Sequence, residues 1–329
     1  MKESTPNIFK KYAFTFLWML LFGLYVSAQK TPQYTQYMYN IGSFNPGYAA
    51  SVVDPEISGL YRAQWLDVPG APRTFRLGVN LPFSNEKNGL GFNVISDQLG
   101  PTSQNYIEVA YSYQINLSDD TKLSFGINAG GSLLDIDFSK GDFEFLNEPL
   151  LSTATINKFY PVIGAGAFLY ADDWYLGLSV PNFLIESIYD QEVVSIVEDK
   201  PQFNLIGGYV FELSDNLKFK PAFLMNYLES SPMNLNLSAN FLMNDVFTLG
   251  ASYRSDNAVS GLAGFQISNG TFIGYSYDYS TNGLGDYNNG SHELILKFYL
   301  GREKTVRNRK DKNKKLKGKP KQIDTPRFF

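Results

Sequence analysis

The sequence predicts an all-β protein: a transmembrane antiparallel β-barrel of about 14 strands, preceded by an N-terminal plug-like segment. Three observations carry that expectation. The 329 residues are 16% aromatic, with 22 Tyr and 26 Phe, yet mean hydropathy is −0.19. From about residue 56 apolar residues recur with period 2. Candidate connections alternate between short Asn/Asp/Gly turns and mostly longer loops. Helical membrane proteins need runs of about 20 apolar residues. Strands that alternate between lipid and lumen combine many aromatics with modest hydropathy.

At the N-terminus, Lys10-Lys11 precede an apolar run from Tyr12 to Val26, followed by Ser27-Ala28. This is the pattern of a signal peptide over residues 1–28, cleaved after Ala28. An N-terminal membrane anchor is the alternative, but the run is short for a span.

Residues 29–55 form a separate segment, polar and turn-rich. Asn45-Pro46-Gly47 is a turn signal. Tyr34, Tyr37, Met38, Tyr39, Phe44 and Tyr48 nevertheless require burial. The segment is therefore expected to tuck into the periplasmic end of the lumen, as a plug, or to bind a partner there. A flexible lead-in is the plainer alternative.

The barrel is expected over residues 56–300, with strands starting near 56, 73, 88, 104, 121, 159, 173, 201, 216, 232, 246, 258, 271 and 290. Ile107, Val109, Tyr111, Tyr113, Ile115 and Leu117 share one face; Glu108, Ala110, Ser112, Gln114 and Asn116 share the other. In the closing strand Leu294, Leu296, Phe298 and Leu300 are expected to meet lipid, and Glu293, Ile295 and Lys297 the lumen. Tyr275, Tyr277, Tyr279 and the pair Trp174-Tyr175 suit interfacial girdles. Turns after even-numbered strands are short, for example Asn85-Glu86 and Asn244-Asp245. Those after odd-numbered strands, such as 66–72, 97–103, 139–158 and 181–200, are expected to be longer. The phase fits short periplasmic turns and longer external loops. A soluble sandwich remains the fallback at the level of fold.

Residues 301–329 hold 12 Lys/Arg against 3 Asp/Glu, a net +9, which leaves −13 on the rest. Such a tail builds no core. The export signal argues against nucleic acid as its partner. A periplasmic arm for an acidic partner, peptidoglycan or anionic lipid stands level with a solvated tail of no role.

Chemistry is mostly absent. The chain has no Cys and one His, His292, so disulfides, thiolate catalysis and a lipidated Cys are excluded. His292 suits a satisfied polar residue at a strand end better than a metal ligand or catalytic base. Asp119-Asp120 and Asp172-Asp173 fall in turns. Gly89, Gly91, Gly126, Gly130, Gly131, Gly164 and Gly166 form no phosphate loop; they suit bends and the close approach of a plug. No catalytic residue, metal or cofactor is expected.

Several ordered motifs carry a resemblance. Gln33-Tyr34-Thr35-Gln36-Tyr37-Met38-Tyr39-Asn40 precedes Phe44-Asn45-Pro46-Gly47-Tyr48-Ala49. Then come Arg62-Ala63-Gln64-Trp65, Pro69-Gly70-Ala71-Pro72-Arg73-Thr74, Asp97-Gln98-Leu99-Gly100-Pro101, Leu178-Ser179-Val180-Pro181-Asn182 and Gly290-Ser291-His292-Glu293. This series resembles the PorP/SprF family of Bacteroidota outer-membrane proteins, over residues 33 to 300. Tyr39, Gly47 and Ala50 depart from the family's usual residues, and the basic tail lies outside the match. The resemblance implies a non-enzymatic protein of the type IX secretion system in the cell outer membrane. Its implied partners are secreted cargo, including cell-surface adhesins of gliding motility, other secretion components, and periplasmic peptidoglycan-linked proteins. It marks Arg62, Gln64, Trp65, His292 and Glu293 as motif residues of the barrel. An outer-membrane channel for small hydrophobic or sugar ligands is the alternative function.

Overall fold

The computed structural model describes residues 32–137, 139, 155–184, 186–188, 197–199, 201–229, 231–255 and 258–301. The expected signal peptide and the tail beyond Gly301 lie outside the described residues.

Fourteen strands close into one antiparallel ring among the described residues. They are β1 (Glu56–Ala63), β2 (Arg73–Pro82), β3 (Asn88–Leu99), β4 (Thr102–Asn116), β5 (Lys122–Asp137), β6 (Thr155–Tyr170) and β7 (Trp174–Val180). Next comes β8, in two pieces (Gln202–Tyr209 and Phe211–Ser214), and then β9 (Leu217–Leu228) and β10 (Asn234–Met243). The last four are β11 (Phe247–Arg254), β12 (Ala258–Ser268), β13 (Thr271–Ser280) and β14 (Ser291–Tyr299). Strand β8 breaks at Val210, whose N–H donates to Asp173 O (2.7 Å). A small hairpin, Glu186–Ile188 with Val197–Asp199, pairs apart from the ring.

Closure is made by β1 and β14, from Glu56↔Tyr299 to Ala63↔His292. Neither β1 nor β14 then leaves its outer edge open, as a spanning sheet requires in lipid. The expected strand starts fall within four residues of the observed ones.

The faces follow the period-2 reading. Ile107, Val109, Tyr111, Tyr113, Ile115 and Leu117 are exposed on the outside of β4, while Ser112 and Gln114 are buried inside. On β14, Leu294 and Phe298 point out; Glu293, Ile295 and Lys297 are buried. A belt of exposed apolar residues around a buried polar interior inverts a soluble core and matches a lipid-facing wall.

The turns 83–87, 117–121, 171–173, 215–216, 244–246 and 269–270 lie at one end. Asn244 and Asp245 both have φ of +55°, the left-handed conformation of tight hairpins. The other end carries 64–72 and 281–290, together with the strand ends that flank 138–154, 181–201, 229–233 and 255–257 in the sequence. The expectation of a longer loop at 97–103 is corrected: β3 and β4 extend through it and leave only Gly100-Pro101. Gly100, at φ +54°, allows the tight reversal. Short turns face the periplasm in outer-membrane barrels and longer loops face outward. That rule puts Glu56 and Tyr299 at the periplasmic end.

Candidate functional site

Residues 34–51 lie within the ring. Tyr34, Tyr37, Met38, Tyr39, Phe44 and Tyr48 are all buried, together with Asn45 and Pro46. The chain here makes three short 3-10 turns, Tyr37–Tyr39, Ile41–Ser43 and Pro46–Ala50. Asn45 caps the third by accepting a bond from Gly47 N–H at 2.9 Å. Hiding each of these large side chains is worth about 1.5–3 kcal/mol relative to exposure.

The segment does not stop at the periplasmic end, where it was expected. Thr35 bonds to the loop-end halves of β13 and β14, whereas Tyr48 reaches Glu56 at the short-turn end. It runs nearly the height of the lumen. The reason is a polar cluster high on the wall that its first residues complete.

That cluster sits on the closing seam. Arg62 on β1 lies directly opposite Glu293 on β14. Its guanidinium bonds Asp278 at 2.7 Å and Glu293 at 3.1 Å, and all three side chains are buried. Glu293 also accepts the backbone N–H groups of Thr35 (2.9 Å) and Gln36 (2.8 Å). These N–H groups open the first 3-10 turn and have no partner inside it, so a carboxylate is the natural acceptor. Thr35 Oγ1 donates to Asp278 (2.7 Å) and accepts from Arg62 (3.0 Å) and Arg254 (3.3 Å). Two cations and two anions are thus closed into one network, with a threonine of the lumen segment at its centre.

Lower down, the segment meets other walls. Tyr37 OH donates to Ala222 O at 2.8 Å and lies 3.0 Å from Ser238 Oγ. Burial pushes this hydroxyl above its ordinary range, which keeps it a donor. The Tyr39 ring packs on Phe272, centroids 4.9 Å apart, with Lys220 Nζ 5.4 Å from it. Asn45 Nδ2 donates to Ala167 O (3.0 Å) and Leu178 O (3.3 Å), and Ser179 Oγ to Phe44 O (2.6 Å). Near the periplasmic end Lys297 pairs with Glu56 at 3.0 Å, and Tyr48 OH donates to the same carboxylate at 3.3 Å.

The strand glycines divide. A Cβ on Gly126 would lie 2.3 Å from Gly47 N, and one on Gly89 2.3 Å from Ala49 O. At these positions the lumen segment lies against bare backbone. Gly130 and Gly131 instead face Ile107 O and the Phe159 ring, neighbours within the wall.

Gln64 and Trp65 belong to the loop-end rim rather than to the lumen. Gln64 N–H donates to Pro72 O, Trp65 N–H to Ser291 Oγ (3.2 Å) and Leu66 N–H to Gly290 O (2.9 Å). Gly100 N–H donates to Gly70 O (2.8 Å). The motif loops from three parts of the chain, 64–72, 97–101 and 290–291, therefore meet at one end. His292 faces outward on β14, with Nδ1 2.6 Å from Tyr275 OH and its ring edge-on to Tyr277. Tyr275, Tyr277 and Tyr279 are exposed as a girdle requires. Tyr175 corrects the girdle reading: it is buried in the lumen, stacked on Phe168 at 5.8 Å. Its parity along β7 turns it inward, and adjacent Trp174 turns the other way.

In the sequence Asp278 and Arg254 stand on the polar parity of their strands and Thr35 in the first motif, with no sign that the three touch. Period 2 placed both charges inside, but not at the same height.

Above the segment, on the opposite wall, lies a cleft of about 150 Å³. Tyr34 and Phe44 line its base, and Asn204, Asn226, Asn234 and Glu108 its side.

This geometry defines a class: a closed outer-membrane β-barrel with its own N-terminal segment in the lumen. The family described as "Type IX secretion system membrane protein PorP/SprF" matches residues 26–298, and the chain belongs to it. No curated protein matches the sequence. Among solved structures it is similar to the outer-membrane protein Omp33 of Acinetobacter baumannii. Identity is 10% and the TM-score 0.43, over 75% of this chain and 98% of that one. It is also similar to the monoaromatic hydrocarbon channel CymD, with 11% identity and TM-score 0.47 over 82% and 93%. A FadL homologue of Pseudomonas aeruginosa gives 12% and 0.40 over 81% and 93%.

Proposed function

We propose that this chain is a non-enzymatic, internally plugged barrel. It assists secretion or surface anchoring of an adhesin-like cargo of the type IX system, and it acts beside the export route, not as the conduit. One observation supports this reading above others. Residues 34–51 bond to β1, β13 and β14 on one side and to β6, β7 and β9 on others, so a cargo chain would have to displace them. The rim of motif loops is then the surface offered to cargo outside. The basic residues 301–329 follow β14 at the periplasmic end, where an arm would meet a peptidoglycan-linked component.

Deletion of the protein should abolish surface display of its cargo. The Cys-free chain allows a sharper test. Tyr37→Cys and Ser238→Cys, joined by a short bifunctional thiol reagent, would pin the segment in place. Cargo display by the pinned barrel should equal that of wild type; its loss would show that cargo passes through the lumen. A pull-down with residues 301–329 deleted should lose the periplasmic partner and keep the cargo. The channel reading requires conductance in planar bilayers, with cargo display untouched by deletion.

A further inference from the structure

The cleft above the lumen segment is unlike the seam cluster beside it, because its polar groups are not used up. Asn204, Asn226 and Asn234 face one another in register across β8, β9 and β10. Asn204 is 1% exposed, and its Oδ1 accepts from Gln202 Nε2 and from Asn226 Nδ2, both at 2.7 Å. These bonds leave Asn204 Nδ2 as a donor, and Asn226 Oδ1 as an acceptor, with no partner among the described residues. Glu108 faces them across the cleft; one carboxylate oxygen accepts from Asn128 Nδ2 at 3.3 Å and the other is open. Leu224, Leu228, Ile95 and Val162 supply an aliphatic part of the wall.

We propose that this cleft binds one ring of a neutral saccharide. The donor on Asn204 and the acceptors on Asn226 and Glu108 match hydroxyl groups, each of which both donates and accepts. The aliphatic wall matches the C–H face of a pyranose. No cation lines the cleft among the described residues, so an anion would find no ion pair on its walls. A cavity of about 150 Å³ is the size that holds a single six-membered ring. Beneath it the base is Tyr34 and Phe44, rings 5.9 Å apart and edge-on, so the cleft ends on the lumen segment and is a receptor site, not a stage of a pore. The rim residues Pro181, Asn182, Ser231 and Pro232 place its mouth at the outward end. The ligand chemistry is shared by free monosaccharides and by the terminal ring of a surface polysaccharide.

The test is a titration of the purified full-length barrel in detergent with neutral methyl hexosides, with glucuronate and a blocked neutral tripeptide as comparisons. Saturable binding of at least one hexoside at millimolar concentration or tighter is expected, with none of glucuronate. Asn226→Leu should weaken it at least about tenfold, as should Glu108→Leu. Correct closure of each variant is checked by heat-modifiable migration. Asn204→Asp, which keeps the shape but replaces the free donor Nδ2 with an acceptor, guards against a merely misfolded Leu variant and should also weaken binding. No saturable hexoside binding, binding unchanged in correctly closed variants, or preference for glucuronate or the tripeptide would each overturn the proposal. Competition separates the sources: a hexoside that displaces a neutral polysaccharide from the barrel identifies the polymer's end group. Hexoside binding to a barrel that retains no polymer identifies the free sugar. Cargo display is scored separately, so failure here is distinguishable from failure of the secretion role.

Discussion

At the same height in the lumen, two walls treat polar groups in opposite ways. Where β13, β14 and β1 meet, Arg62, Asp278 and Glu293 bond one another and the Thr35 and Gln36 of the lumen segment. On the β8–β10 wall, the carboxamides of Asn204 and Asn226 bond each other and keep capacity to spare. The first wall holds a permanent occupant and the second is open to an exchangeable one. Asn236 links them, since its Oδ1 accepts from Arg254 Nε at 2.8 Å. Full ionic groups suit the permanent contact, because a buried charge left without a partner is costly. Neutral amides suit the exchangeable one, because an empty site of this kind costs far less.

The largest effect is expected at the seam. Arg62→Met leaves Asp278 and Glu293 buried together without their shared cation, a loss of about 3–5 kcal/mol. It should lower the urea midpoint of unfolding and release residues 34–51 to protease. Adding Asp278→Asn and Glu293→Gln to Arg62→Met should recover part of that loss. If the triple variant is no better than the single one, charge is not what holds the seam.

Next comes Gly126→Val. The new side chain would occupy the place of the Pro46–Gly47 backbone, with its Cβ 2.3 Å from Gly47 N. A cost of about 1–3 kcal/mol is expected. It should appear as proteolysis of the lumen segment within a barrel that still migrates as closed. Unchanged protection would mean that the segment does not rest on β5.

Tyr37→Phe removes the donor to Ala222 O and should cost about 1 kcal/mol. The same unfolding curve measures it. The smallest effect is expected at His292→Ala, within about 0.5 kcal/mol, because this side chain lies on the outer face beside Tyr275. An effect as large as that of Arg62→Met would erase the contrast between the two faces of β14.

Most of the barrel was legible in the chain, and the reason is local. Side chains alternate strictly along a strand, so Leu294 and Phe298 could be sent to lipid and Glu293 and Lys297 to the lumen from parity alone. Asn244-Asp245 could be placed in a tight turn from the tolerance of these residues for positive φ. The 97–103 stretch misled because Gly100-Pro101 suits a loop of any length, and only pairing of Leu99 with Thr102 makes it the shortest. Tyr175 misled because a tyrosine beside a tryptophan after a turn looks interfacial until its parity on β7 is known.

The sequence by itself determined the class of protein, the number of strands, which face of each meets lipid, and which early aromatics had to be buried. Period, turn chemistry and apolar bulk are properties of neighbouring residues, so they survive without a fold. The tertiary structure decided that Thr35 reaches Arg62, Asp278 and Glu293, residues more than 200 positions apart in part. It also decided that Gly126 meets Gly47 and that Asn204, Asn226 and Asn234 stand in one row. Those are matters of stagger and height around a closed ring. They are set by where β14 pairs with β1, a registration no single strand carries.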